Sequence, residues 1–170
     1  PARARPCGQP RRRNAVSPRP AHQVAAAIIR RGDEIVLVFQ GTSGEEPFWG
    51  LPGGIVESDE LVPEGLVREV LEETGLKIAM PARLAYVRQI HNTRPVQLLA
   101  HRGPGEGYLV TVWLFEVDSW EGEIGANDPD GVVHEARFVP VAEAVERLRR
   151  THWLELTADY LEGLIEPGSL

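Results

Sequence analysis

The chain has 170 residues, 42% hydrophobic and 25% charged, enough to bury the core of one globular domain. No apolar run approaches the length that spans a membrane, and the single cysteine, Cys7, rules out an internal disulfide. The formal net charge of −7 is uneven, because residues 1–20 carry Arg3, Arg5, Arg11, Arg12, Arg13 and Arg19 with no acid and leave the other 150 residues at −13, which argues against non-specific nucleic-acid binding by the folded part.

Residues 1–20 also contain Pro1, Pro6, Pro10, Pro18 and Pro20, so no helix or strand can continue through them, and nothing there resembles the apolar core of a signal peptide. They read as a disordered Arg/Pro-rich tail ahead of a single domain at 21–170. The missing initiating Met fits a processed or incompletely represented start, and a reducing cytoplasm is the expected compartment. The run 22–29 predicts a buried strand, residues 30–33 a hairpin turn, and 34–40 the returning strand. A loop at 41–47 leads into an approach strand and the turn-forming run Phe48-Trp49-Gly50-Leu51-Pro52-Gly53-Gly54, whose glycines let backbone carbonyls approach a ligand. A helix over about 63–74 follows. Strands are predicted at 83–90, 96–100 and 108–117, with a glycine-rich turn at 102–107, and a further strand at 132–139 ends at Pro140. Helical periodicity marks 142–150 and 153–165, with Thr151 as a cap. The order predicts an α/β (α+β) sandwich with a mixed sheet between helices, and several sheet topologies stay open.

The chemistry concentrates in residues 54–76. On a helix, Glu69, Glu72 and Glu73 fall within an arc of about 100°, while Leu66, Val67, Val70, Leu71 and Thr74 form a neighbouring apolar arc. Such carboxylates repel one another, by a few tenths of a kcal/mol per pair. A hard divalent cation such as Mg²⁺ or Mn²⁺ would compensate, since it prefers carboxylate, carbonyl and water oxygens and keeps positions open for phosphates. Arg68 can pair with Glu72 one turn on. Pro63 suits a first helical turn, and Gly75-Leu76 suits a left-handed C-cap. Three glutamates on one helix face are, by themselves, most simply a solvated acidic face. The whole pattern is far more specific: Gly54, Glu60, Arg68-Glu69-Val70, Glu72-Glu73 and Gly75-Leu76 at these spacings would arise by chance on the order of once in a hundred thousand such chains.

This segment resembles the signature of the Nudix hydrolases, the MutT-like pyrophosphohydrolases, and matches it at every specified position. The approach Trp49 to Gly54 is also similar to what precedes the box in many members. The resemblance implies the Nudix fold and metal-dependent cleavage of a nucleoside diphosphate linked to another moiety, releasing a nucleoside monophosphate. It implies Glu69, Glu72 and Glu73 as metal ligands, Glu60 as a weaker or water-mediated one, Gly53 as a carbonyl ligand and Arg68 as the orienting residue. Glu69 is the first choice of general base, and an acid between 121 and 135 the second. Many members place a glutamate where this chain has Val132; Asp128, Asp130 or Glu135 can substitute, although residues 127–131 also read as an ordinary acidic turn.

Other residues carry weaker expectations. Phe48, Trp49, Tyr86 and Trp113 can stack on a base, and Arg88, Arg94 or Arg102 can meet a phosphate, with Trp49, Arg88 and Asp130 taken as the substrate-binding candidates. The ordinary alternative is core aromatics and solvated arginines. His91, His101 and His134 share no metal-ligand spacing. The expected partner is a nucleotide substrate, without a stable nucleic-acid or membrane partner, and a homodimer is compatible. The alternative to an enzyme is a Nudix-fold module that senses a nucleotide without turnover; an isomerase of related fold would want a better placed cysteine than Cys7.

Overall fold

The computed structural model describes residues 21–41, 44, 46–80, 82–92, 108–164 and 167. The tail at 1–20 with Cys7, the strand expected at 96–100, the turn at 102–107, and Arg94, Arg102 and His101 lie outside the described residues.

β1 (Ala21–Arg31) and β2 (Glu34–Gln40) form the expected hairpin, turned at Gly32 with φ +63°. They pair only next to the turn, at Arg30↔Ile35 and Arg31↔Glu34, and then diverge. Each strand takes new neighbours. β2 pairs antiparallel with β3 (Phe48–Gly50) and with β9 (Val133–Pro140). β1 pairs antiparallel with β4 (Gly53–Ile55), through Val24↔Ile55, Ala25↔Gly54 and Ala26↔Gly53. On its other edge β1 runs parallel to β7 (Tyr108–Val117), which pairs antiparallel with β6 (Arg83–Asn92). Among the described residues seven strands therefore join one mixed sheet. β5 (Lys77–Ile78) and β8 (Trp120–Glu121) form a separate two-stranded piece.

Strand alternation sorts the core into two layers. Ala25, Ala27, Ile29 and Val36 face α1 (Val62–Thr74), where Leu66 and Val70 meet them together with Phe115 and Val117. Ile28, Ile35, Leu37 and Leu114 face the opposite way, onto Ala144, Val145 and Leu148 of α2 (Val141–Leu148) and Ala158 and Tyr160 of α3 (Glu155–Leu161). On that side Tyr86 and Thr157 join their hydroxyls at 2.8 Å. The sheet between helices is thus as expected. The helix expected at 153–165, whose last residue lies outside the described ones, divides: a 3-10 turn at His152–Leu154 is followed by α3, and Thr151 precedes the turn without a side-chain capping bond.

α1 starts and stops for identifiable reasons. At its N-terminus the Glu64 carboxylate accepts the Leu61 N–H at 2.8 Å, and Pro63 occupies the first turn, where no N–H is needed. At its C-terminus Gly75 adopts φ +73° and donates to the Leu71 carbonyl at 2.9 Å. A β-carbon at Gly75 would also stand 3.1 Å from the Glu123 carbonyl and 3.2 Å from that of Gly125. Gly75→Ala should therefore destabilise the protein by about 1–2 kcal/mol, measured as a lower midpoint in urea with an unchanged m-value.

Candidate active site on the first helix

The site is the seam between β4 and α1, and two glycines make the seam possible. Gly53 has φ +144°, and a β-carbon there would overlap the Ala25 carbonyl of β1 at 2.2 Å. At Gly54 a β-carbon would stand 2.5 Å from the carboxyl carbon of Glu69. A side chain at Gly53 would collide with β1, and one at Gly54 would displace the Glu69 carboxylate from the seam.

Glu73 is 7% exposed, and its Oε2 accepts the Gly53 N–H at 2.7 Å. Burial pushes its carboxyl well above the ordinary range; the Gly53 N–H opposes this, and the charges of Glu69, Asp128 and Glu72 add to it. Glu69 is also raised, first by burial and then by Glu72 and Asp128, against the hydrogen bond and charge of Arg68. Arg68 is the hub. Its Nε and Nη2 donate to Glu60 at 2.7 and 2.9 Å, Nη2 donates to the Ile55 carbonyl at 3.0 Å, and Nη1 donates to Glu69 at 2.9 Å and to Glu72 at 3.1 Å. Glu60 accepts the Glu57 N–H as well, at 2.9 Å. The Arg68 hydrogen bond, followed by that of Glu57, holds the Glu60 carboxyl down at about 2.

A loop closes the seam from the other side. Gly125 donates to the Thr74 carbonyl at 2.9 Å and Asn127 to that of Glu72 at 3.3 Å, which ties the loop to the last turn of α1. Asp128 follows, fixed by three backbone donors: Asp130 on Oδ1 at 3.1 Å, and Val132 and Val133 on Oδ2 at 2.7 and 2.8 Å. Its charge is felt at both Glu69 and Glu73. Asp130 is exposed and enters only through its backbone. Glu135, on β9, pairs with Arg137 at 3.3 Å.

The structure thus gathers Gly53, Glu60, Arg68, Glu69, Glu72 and Glu73 at one seam, with Asp128 on the loop that closes it, and sets the aromatic and arginine candidates elsewhere. Trp49 packs 5.1 Å from Phe39 and carries the guanidinium groups of Arg137 and Arg147 at 4.8 and 4.3 Å from its ring centre. Arg88 donates to the Trp153 carbonyl at 3.3 Å, beside an edge-to-face contact of Phe48 with Trp153 at 5.4 Å. Trp113 donates to Gln23 at 3.1 Å. Sequence reasoning misses the Ile55 carbonyl and the Glu57 N–H, because backbone groups carry no residue-type signal.

Among the described residues no three acidic, histidine or cysteine side chains already converge as a closed metal set, since Glu60, Glu69 and Glu72 turn onto Arg68. The donor chemistry nevertheless fits a hard divalent cation. All the side-chain donors are carboxylates, and two of them are driven upward by burial and by one another.

The family model described as a NUDIX domain matches residues 20–159. The chain belongs to the Nudix family. Among its Nudix relatives, a MutT-like protein of Streptomyces ambofaciens is 38% identical over 66 residues, which make up 38% of this chain and 40% of that protein. A CTP pyrophosphohydrolase of Escherichia coli is 27% identical over 127 residues, 72% of this chain and 84% of that one. The chain spans less than half the length of the first curated relatives it matches. The fold is likewise that of a NUDIX hydrolase from Nitrosomonas europaea, with a TM-score of 0.62 at 22% identity over 88% of this chain and 93% of that one. Among the described residues no helix is long and apolar enough to cross a membrane.

The raised Glu73 carboxyl has a signed consequence. Its ionisation costs stability as pH rises above the ordinary carboxylate value of 4.5, and the cost levels off above its own folded pKa. Glu73→Gln keeps an acceptor for the Gly53 N–H and removes the charge. In metal-free buffer this variant should unfold about 2–4 °C or more above wild type near pH 8, with the advantage vanishing as pH falls to about 4. Thermal unfolding across that range checks it, and a difference independent of pH would implicate packing instead.

Proposed function

We propose that this protein is a divalent-metal-dependent pyrophosphohydrolase. It cleaves the diphosphate linkage of a nucleoside diphosphate joined to another moiety and releases a nucleoside monophosphate. The observation that carries this reading is the gathering of Glu69, Glu72, Glu73 and Arg68 against the Gly53-Gly54 backbone in a chain of the Nudix family. Mg²⁺ or Mn²⁺ is the proposed cofactor, and Glu69, Glu72, Glu73 and the Gly53 carbonyl are the groups that would hold it. Glu60 contributes through Arg68. When bound, the cation supplies charge neutralisation of the diphosphate and makes a bound water more acidic.

The chain's own residues do the rest. Glu69 is the proposed general base: burial keeps its carboxyl hungry for a proton, and Arg68 fixes its orientation at 2.9 Å. A water proton passes to Glu69, the water oxygen bonds to one phosphorus, and the bond between that phosphorus and the bridging oxygen breaks, so that the bridging oxygen leaves with the other phosphoryl group. Asp128 suits the base role less well, because three N–H donors already hold its charge. It adds instead to the negative field that draws a cation to the seam.

The substrate class covers modified nucleoside triphosphates, ADP-ribose-like compounds, dinucleoside polyphosphates and nucleotide sugars. Product analysis on a panel of these, with and without Mg²⁺ or Mn²⁺, should show metal-dependent release of a nucleoside monophosphate from one class. Glu72→Gln should retain the wild-type circular dichroism spectrum and lose about 100-fold or more of that turnover. Ligand binding without turnover across the whole panel would instead identify a sensing module.

A further inference from the structure

Arg68 presents two unlike edges. Nε and Nη2 face partners that lie off the acidic face of α1, namely the bidentate Glu60 and the Ile55 carbonyl, at 2.7 to 3.0 Å. Glu60 is itself fixed by the Glu57 N–H at 2.9 Å. This half of the contact pins the guanidinium whatever happens on α1. Nη1 does the opposite and spans Glu69 and Glu72, at 2.9 and 3.1 Å. Each contact takes one oxygen, Oε1 of Glu69 and Oε2 of Glu72, and leaves the other open to a cation, but a fixed positive charge beside the cluster opposes the approach of a second one.

We propose that Arg68 is an internal counter-cation: in the metal-free protein its Nη1 neutralises Glu69 and Glu72, and a divalent ion would bind the remaining oxygens of these carboxylates against that fixed charge, which Glu60 and Ile55 keep in place. The inference rests on the reading of α1 as the metal-holding face. It gives Arg68 a cost as well as a use. The cluster is kept folded and neutralised without metal, and cation affinity is held below what the bare carboxylates would give. A residue that served only to orient the glutamates for the ion would have the opposite effect on affinity.

The sign of the change in affinity decides between them. Mn²⁺ binding is measured by isothermal titration calorimetry without nucleotide on wild type, Arg68→Lys, Arg68→Gln and Glu72→Gln, with the metal-free thermal midpoint of each. Removing the charge should tighten Mn²⁺ binding about three- to tenfold in Arg68→Gln. Arg68→Lys should fall between it and wild type, because a point charge cannot fork to Glu60 and Ile55 and still span two carboxylates. Both variants should unfold at a lower temperature without metal. Unchanged or weaker Mn²⁺ binding in either folded variant overturns the proposal, so Arg68→Lys decides alone if Arg68→Gln does not fold. Glu72→Gln separates the two readings. If it loses Mn²⁺ affinity while the arginine variants gain none, only the counter-cation role fails; if it binds as wild type, the metal-face reading fails and takes this role with it.

Discussion

Glu69 lies where the β-carbon of Gly54 would stand, and Glu73 reaches past it to the Gly53 N–H. This close approach of a helix to a three-residue strand governs everything around it. Because β4 is bare backbone on that side, α1 can sit low enough on the sheet for Leu66 and Val70 to be fully buried against Ala25, Ala27 and Ile29. The same depth carries Glu73 into the interior and raises its carboxyl. Packing and electrostatics are therefore not separable here. The apolar arc of α1 stabilises the contact that its acidic arc strains.

The strain is contained by placing positive or donor groups at particular atoms. Arg68 spreads one charge over three carboxylates, while backbone N–H groups from Gly53, Glu57, Val132 and Val133 serve Glu73, Glu60 and Asp128. Isolated exposed ion pairs contribute little. These are mostly half-buried and share partners, so the loss of one alters the surroundings of the others. Arg137 and Arg147 lie instead over Trp49, which makes that indole part of the support beneath α2.

How much of this can be read from the sequence follows from where the information lies. The boundaries of α1 are legible because Pro63 and Gly75 each act locally, and the acidic arc because helical periodicity alone fixes which residues share a face. The β1–β2 hairpin is legible for the same local reason. β4 is not, since Gly53-Gly54-Ile55 has turn composition and becomes a strand only because the diverging hairpin leaves an edge of β1 for it to pair with. Nor is the parallel pairing of β1 with β7, which no local pattern records. Among the loop acids, composition cannot rank Asp128 above Asp130 or Glu135; the choice depends on which one the ties of Gly125 and Asn127 to α1 bring to the seam.

That parallel pairing bears on how the molecule comes to exist. Ala21 to Ile29 align with Leu109 to Val117, 88 positions apart, so the central strand gains the neighbour on its other edge only after most of the chain has been made. Long closures of this kind slow folding, because chain entropy is lost before the contacts that offset it appear. Until then, one edge of an alanine- and isoleucine-rich strand stands open to other chains. The chain can assemble its first hairpin early, but the sheet on which α1 must settle is among the last things to be completed.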